Sequence, residues 1–228
     1  MGSNERRERE RQETRTKILD AARELFAAHG FEAVTMRKIA EKIEYTPAAI
    51  YFHFKDKDEL IRELCANDFL SFGQKFQVAA SEADPIARLL ASADVYIEFA
   101  LTHPNSYRIM FMNPTPPNLE EPEWAGNPAN DAYAFLKIMV GEAIEKGLLR
   151  PELDDAELVS QVIWAGLHGV VSLEIAICND EMIDWRDVQA RARTMTDVLM
   201  RGIARTPPDL RAPPRGPAPK TGKKKTKK

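Results

Sequence analysis

Between Thr35 and Phe54 the apolar positions of this chain fall at helical spacing in two short stretches separated by a turn. Ile39, Ala40 and Ile43 share one face behind Thr35, a good N-cap, while Arg37, Lys38, Glu41 and Lys42 take the wet side. Thr46 then offers a second N-cap, and Pro47 a residue whose missing N–H costs nothing in a first turn. A new helix therefore starts there, with Ala48 or Ala49, Ile50 and Phe54 inward and Tyr51, His53 and the N-terminal residues outward. Asp56 followed by Glu59 is a third, capping-box-like start, opening a helix that continues through Leu60, Ile61 and Leu64. Upstream, Ile18, Ala21, Ala22, Leu25 and Phe26 recur at three- and four-residue spacing, and Gly30 stands where a helix ends on a left-handed residue.

The same periodicity predicts helices over 56–80, 85–101, 105–112, 129–146, 154–179 and 185–204, with no strand alternation between them. Residues 159–177 are apolar almost all round, so that helix must be covered on more than one side, and a partner helix across a two-fold axis is an economical cover. The proline-rich stretch between Met112 and Asp131 reads as a long loop. The predicted fold class is all-α: an N-terminal three-helix bundle containing a helix-turn-helix, then a helical domain with its own core.

Two short helices around a tight turn form a DNA-reading pattern, and the order of elements makes it specific. RTKILDAARELFAAHGFEAVTMRKIA followed by TPAAIYFHFKDKDEL, within residues 15–65, resembles the DNA-binding domain of the tetracycline-repressor (TetR) family of bacterial regulators. The resemblance implies that Thr35, Tyr51, His53 and Lys57 touch phosphates, while Thr46, Pro47, Ala48, Ala49 and Phe52 lie at or near base edges. The alternative is a three-helix structural or protein-binding module whose aromatic run only fills a core. Two departures stand out. Glu44 occupies a turn position where the family has a left-handed glycine, at a cost of roughly 1 kcal/mol. The Ala48-Ala49 pair offers methyl contacts but no hydrogen bonds, which leaves direct readout to Thr46, Arg37 and Tyr51.

WAGLHGVVSLEIA, HPNSYRIMF and GLLRPELD resemble the C-terminal domain of one TetR subgroup, named for a Trp and a His-Gly pair, here Trp164, His168 and Gly169. This implies a small-molecule effector held between helices and a homodimer formed through the last two long helices. Candidate pocket residues are Tyr96, Phe99, Tyr107, Met110, Phe111, Phe135, Met139, Trp164 and His168, although bulky residues at helical spacing more often build plain core. A regulator controlled by a protein partner instead of a small molecule is the alternative.

Charge divides the chain. Residues 1–66 carry 13 Lys+Arg against 13 Asp+Glu, residues 67–205 carry 11 against 21, and residues 206–228 carry 8 against 1. The expected organisation is a charged arm over 1–14, the DNA-binding domain over 15–65, an effector-binding and dimerisation domain over 66–205, and a disordered Pro/Lys-rich tail over 206–228. The tail is either an electrostatic arm for DNA or a solubilising segment, and the arginines of the first arm either extend the first helix or enter a minor groove. Four histidines without an HxxxH pair, and Cys65 far from Cys178, argue against a metal site, and no cofactor is expected. With no GxSxG elbow, phosphate loop or HExxH, the chain is not expected to be an enzyme. The absence of a signal peptide or membrane-spanning run predicts a reducing cytoplasm. The expected function is transcription regulation: a homodimeric repressor on a palindromic operator in double-stranded DNA, released by a small apolar or aromatic ligand.

Overall fold

The computed structural model describes residues 3–112, 123–178 and 182–206, and among these the regular structure is helical throughout. The inner part of the proline-rich stretch (113–122) and nearly all of the basic tail lie outside the described residues. The chain runs through α1 (Ser3–Ala33), α2 (Met36–Lys42), α3 (Pro47–His53), α4 (Lys57–Lys75), α5 (Pro85–Thr102), α6 (Pro104–Tyr107), α7 (Ala132–Glu145), α8 (Ala156–Ile177) and α9 (Val188–Ile203). A 3₁₀ segment, Phe76–Ser81, prolongs α4, and a π-helical turn, Arg108–Met112, prolongs α6. The one β-bridge described joins Leu149 to Ala204.

Side-chain caps set most helix starts. Thr35, Thr46 and Asp56 accept N–H bonds from Lys38, Ala49 and Glu59, as their positions predict. Asp131, Asp155 and Asp187 do the same for α7, α8 and α9, so these helices begin two or three residues later than periodicity alone suggests. Gly30 also differs from expectation. Its φ of 77° is positive, but its ψ of 164° is extended, so it kinks α1 and the helix resumes to Ala33. α1 is already helical from Ser3, so the described part of the charged arm extends the first helix.

Two apolar cores result. The first gathers α1 to α4 around Ile18, Phe26, Ile39, Ile50, Phe54 and Leu64, all fully buried. The second lies among α4, α5, α7, α8 and α9, around Phe72, Tyr96, Met139, Val171 and Met200. Three ties hold α1 on its neighbours. Arg15 pairs with Glu63 in α4, donates to the His53 carbonyl and lies 4.2 Å from the Phe54 ring centroid. Arg23 bonds the buried carboxylate of Asp68 at 2.8 Å. Ile109, from the π-helical turn after α6, inserts into the first core.

Candidate nucleic-acid interface and effector cavity

The turn between α2 and α3 exists at a backbone cost, since Glu44 adopts φ 59°, the left-handed conformation that favours glycine. It is the only such non-glycine among the described residues. The turn leaves α3 with Ile50 buried and its other faces open: Pro47 and Ala48 are exposed, Ala49 is half-buried, and Tyr51 and Phe52 are 55 % and 72 % exposed. Large aromatic side chains this accessible are costly to leave in water unless a partner covers them.

The remaining residues of the expected interface are placed unequally. Arg37 is exposed and paired with Glu41 at 2.8 Å. Thr35 and Thr46 are exposed but their hydroxyls already cap helices. His53 is half-buried, and burial first, then the charges of Arg11 and Arg15, pull its pKa below the usual imidazole value. Lys57 points inward, its ammonium donating to the carbonyls of Phe31 at 2.8 Å and Val34 at 3.3 Å. One residue that periodicity left unassigned joins the group: the Arg11 guanidinium lies 5.6 Å from the Phe52 ring centroid.

In the second core a cavity of about 130 Å³ opens among α4, α5, α7 and α8. Four of the expected pocket residues, Tyr96, Phe111, Met139 and Trp164, line it. Phe99 and Phe135 stand behind the wall, packed on Phe72 (centroids 4.7 Å apart) and Phe76 (6.4 Å). Met110, Tyr107 and His168 are not in the lining. What the sequence reading missed is the contribution of α4 and its 3₁₀ extension, whose Phe69, Phe72 and Phe76 supply one wall at three- and four-residue spacing. Trp124, Asp131 and Tyr133 were also missed. Trp124 comes close because Gly73 lets α4 meet the 123–130 turn: a Cβ there would sit 1.8 Å from the Asn130 carbonyl oxygen.

A polar chain runs behind this apolar wall. The Trp164 indole N–H donates to Tyr96 Oη at 3.1 Å, Tyr96 and Tyr107 share a hydroxyl bond of 2.7 Å, and Tyr107 Oη bonds His168 Nδ1. Burial raises the Tyr96 pKa to about 12 and pushes Tyr107 up as well, so both hydroxyls keep their protons. Burial moves His168 the other way, towards the neutral imidazole. A bare Nδ1 then lets each donor find an acceptor in one direction, from Trp164 to Tyr96 to Tyr107 to His168. Among the described residues Asp131 is the only charged one lining the cavity, and its carboxylate accepts three backbone N–H bonds, from Gly126, Tyr133 and Ala134.

The outer surface of α8 carries Leu158, Val162, Leu173 and Ile177, each between 41 % and 53 % exposed, with the small Ala165 and Gly169 between them. By length and composition α8 is also the one described helix apolar enough to cross a membrane, but its inner face packs on α5, α7 and α9.

Residues 18–64 match the family profile of bacterial regulatory proteins, tetR family, and residues 89–204 match that of the tetracyclin repressor-like C-terminal domain. The second match spans Trp164, His168 and Gly169 without singling out the Trp and His-Gly subgroup. The chain is 27% identical over 169 residues to the HTH-type transcriptional regulator UidR of Escherichia coli, covering 72% of this chain and 82% of that protein. It is 26% identical over 144 residues to the HTH-type transcriptional repressor KstR2 of Mycobacterium tuberculosis, covering 61% and 71%. Among solved structures, the regulator FadR from Bacillus subtilis in complex with stearoyl-CoA superposes with a TM-score of 0.66 at 21% identity, over 82% of this chain and 98% of that one. The ketosteroid regulator KstR2 superposes at 0.63 and 20%, over 85% and 96%. At such identities the structural likeness speaks for the fold.

Proposed function

Since the chain belongs to the TetR family of bacterial regulatory proteins, and so is a DNA-binding transcriptional regulator and not an enzyme, we propose that it is a homodimeric repressor released from a palindromic operator by a small uncharged ligand. In this reading α3 enters the major groove, with Thr46, Pro47, Ala48, Ala49 and Phe52 at base edges and Thr35, Tyr51 and His53 on phosphates. Arg37 extends the polar contacts from α2. Lys57 holds two carbonyls with its ammonium, which leaves one of three N–H bonds for a phosphate.

The dimer forms across the outer faces of α8 and α9. Leu158, Val162, Leu173 and Ile177 supply apolar area there, and Ala165 and Gly169 allow close helix approach. Two copies so joined place their recognition helices on half-sites about 34 to 36 Å apart, or a multiple of that.

The cavity of about 130 Å³ is close to the roughly 150 Å³ apolar cavity known to hold a benzene ring. Among the described residues its lining contains no lysine, arginine or histidine, and the one carboxylate among them is satisfied by backbone N–H groups. An uncharged group of about one ring fits this chemistry. The stearoyl-CoA bound by Bacillus subtilis FadR supports an apolar effector at this level of the fold, but a polyphosphate head would meet no cation in this lining.

The observation that carries the switch is the segment from Tyr107 to Met112. Phe111 lines the cavity while Ile109, two residues earlier, is buried in the core that positions α3. A ligand that displaces Phe111 therefore acts on the seating of Ile109, and operator affinity changes by the ligand's differential affinity for the two arrangements. The test is selection of random duplex DNA by the purified protein, followed by titration of uncharged single-ring compounds against the bound duplex. A symmetric enriched sequence released by such a compound is expected. Asymmetric or absent enrichment sinks the operator reading, and release only by charged or long-chain compounds sinks the ligand reading.

A further inference from the structure

We propose that the first three turns of α1 are a second DNA-contacting element, a helical rail on which Arg7 and Arg11 bind backbone phosphates beside α3. This rests on the docking of α3 proposed above and adds a site to it.

Residues 4–13 are helical and every one of them is exposed, while the first fully buried side chain of α1 is Ile18. At about 1.5 Å per residue this stretch carries the helix some 15 Å or more away from the core it grows from. A solvated helix of this length has little stability of its own in water and no apolar face to bury, so packing does not account for it. Nor is it a generic basic tail, because between Ser3 and Thr14 four arginines are balanced by four glutamates.

The balance hides a division by face. At about 100° per residue, Asn4, Arg7, Arg11 and Thr14 fall on one arc together with Arg15, with Glu8 at its edge, whereas Glu5, Arg6, Arg9 and Glu13 fall on the opposite side. Two contacts fix which way the first arc points. Arg15 is turned onto Glu63, the His53 carbonyl and the Phe54 ring, at the end of α3. One turn earlier, Arg11 stands over Phe52, whose ring is 72 % exposed on α3 itself. Arg7 is the next position along the same arc. The arginine face is therefore continuous with the open surface of the recognition helix.

The division is also one of pairing. Arg15 is taken up inside the protein and Arg6 is paired with Glu10, but neither Arg7 nor Arg11 has a carboxylate partner among the described ion pairs. Two cations without an ion-pair partner among the described residues, held next to a helix that docks in a major groove, match the phosphates flanking that groove. They would neutralise charge and set register without reading bases.

The experiment uses the full chain and the duplex it selects, with Kd measured across a salt series. Each lost phosphate contact lowers the slope of log K against log salt by about 0.9. For Arg7→Ala with Arg11→Ala a slope shallower by about 2, and binding weaker by roughly tenfold at low salt, are expected. Arg7→Lys with Arg11→Lys keeps the charge and is expected to restore the slope; failure to restore it points to lost helix and overturns the proposal. Arg9→Ala, on the opposite face, is expected to leave the slope unchanged. An equal drop for Arg9→Ala means that position on the helix is irrelevant, and the rail is overturned. An unchanged affinity and slope in the Arg7/Arg11 double variant, alongside weakened binding by Tyr51→Ala, overturns the rail and leaves the docking of α3 standing. A wild-type protein that selects no duplex overturns both.

Discussion

Glu44 holds the left-handed turn between α2 and α3 against the preference of its own side chain. Replacing it by glycine removes a strain of about 1 to 2 kcal/mol and adds back part of that as unfolded-chain entropy. Glu44→Gly is therefore expected to stabilise the fold by up to about 1 kcal/mol in urea denaturation. Glu44→Ala keeps the strain and brings no such gain; a glycine variant less stable than wild type would show that the carboxylate compensates locally. This residue was legible beforehand because turn chemistry is local. The polar chain behind the cavity was not, since Tyr96 and Tyr107 meet His168 from positions 72 and 61 residues away. It has a pH consequence. Burial lowers the His168 pKa from its ordinary 6.5, so just below that pH the unfolded chain binds a proton that the folded one resists. Stability then falls as pH drops through the window between the two values. His53 shifts in the same direction, so the comparison that isolates His168 is wild type against His168→Gln in urea at pH 7.5 and pH 5.5. The wild-type advantage is expected to shrink at the lower pH, and an equal advantage at both would remove His168 from the pH response.

Helices were readable as elements because their apolar positions repeat at 3.6 residues, and the starts of α7, α8 and α9 moved because aspartates at 131, 155 and 187 capped a later residue than periodicity marks. The π-helical turn after α6 was not readable. Two cores claim side chains from one five-residue stretch, Ile109 for the first and Phe111 for the wall of the second, and a local pattern carries no record of that competition. The conflict makes this element the place to test coupling. Ile109→Ala removes a buried side chain and is expected to cost about 2 to 4 kcal/mol of stability. If the turn transmits ligand binding, the same variant should still bind ligand, while the ligand's effect on operator affinity shrinks. Titrating ligand with and without operator measures both quantities. An Ile109→Ala protein whose ligand effect matches wild type would place the transmission in another element.

The whole molecule poses a question that one chain leaves open, namely what covers the outside of α8. Its all-round hydrophobicity was visible in the sequence, but the chain's own α5, α7 and α9 cover only the inner face. Leu158, Val162, Leu173 and Ile177 remain 41 % to 53 % exposed, on α9 Val198 is 59 % exposed, and a soluble protein seldom leaves such a stripe bare. In the proposed dimer a second copy related by a two-fold axis would satisfy the stripe with the same residues it presents, and would link two recognition helices into one ligand for DNA. Val162→Glu combined with Leu173→Glu would bring like charges together at the centre of that contact without touching either core. Sedimentation is expected to show monomers of the double variant with unchanged helical content by circular dichroism. Operator affinity should fall by roughly 10² to 10⁴, because the second half-site is no longer held at high effective concentration. Binding to a single half-site should be unaltered. A double variant that still sediments as a dimer would place the interface elsewhere, and one that becomes monomeric yet keeps full operator affinity would show that each recognition helix binds independently.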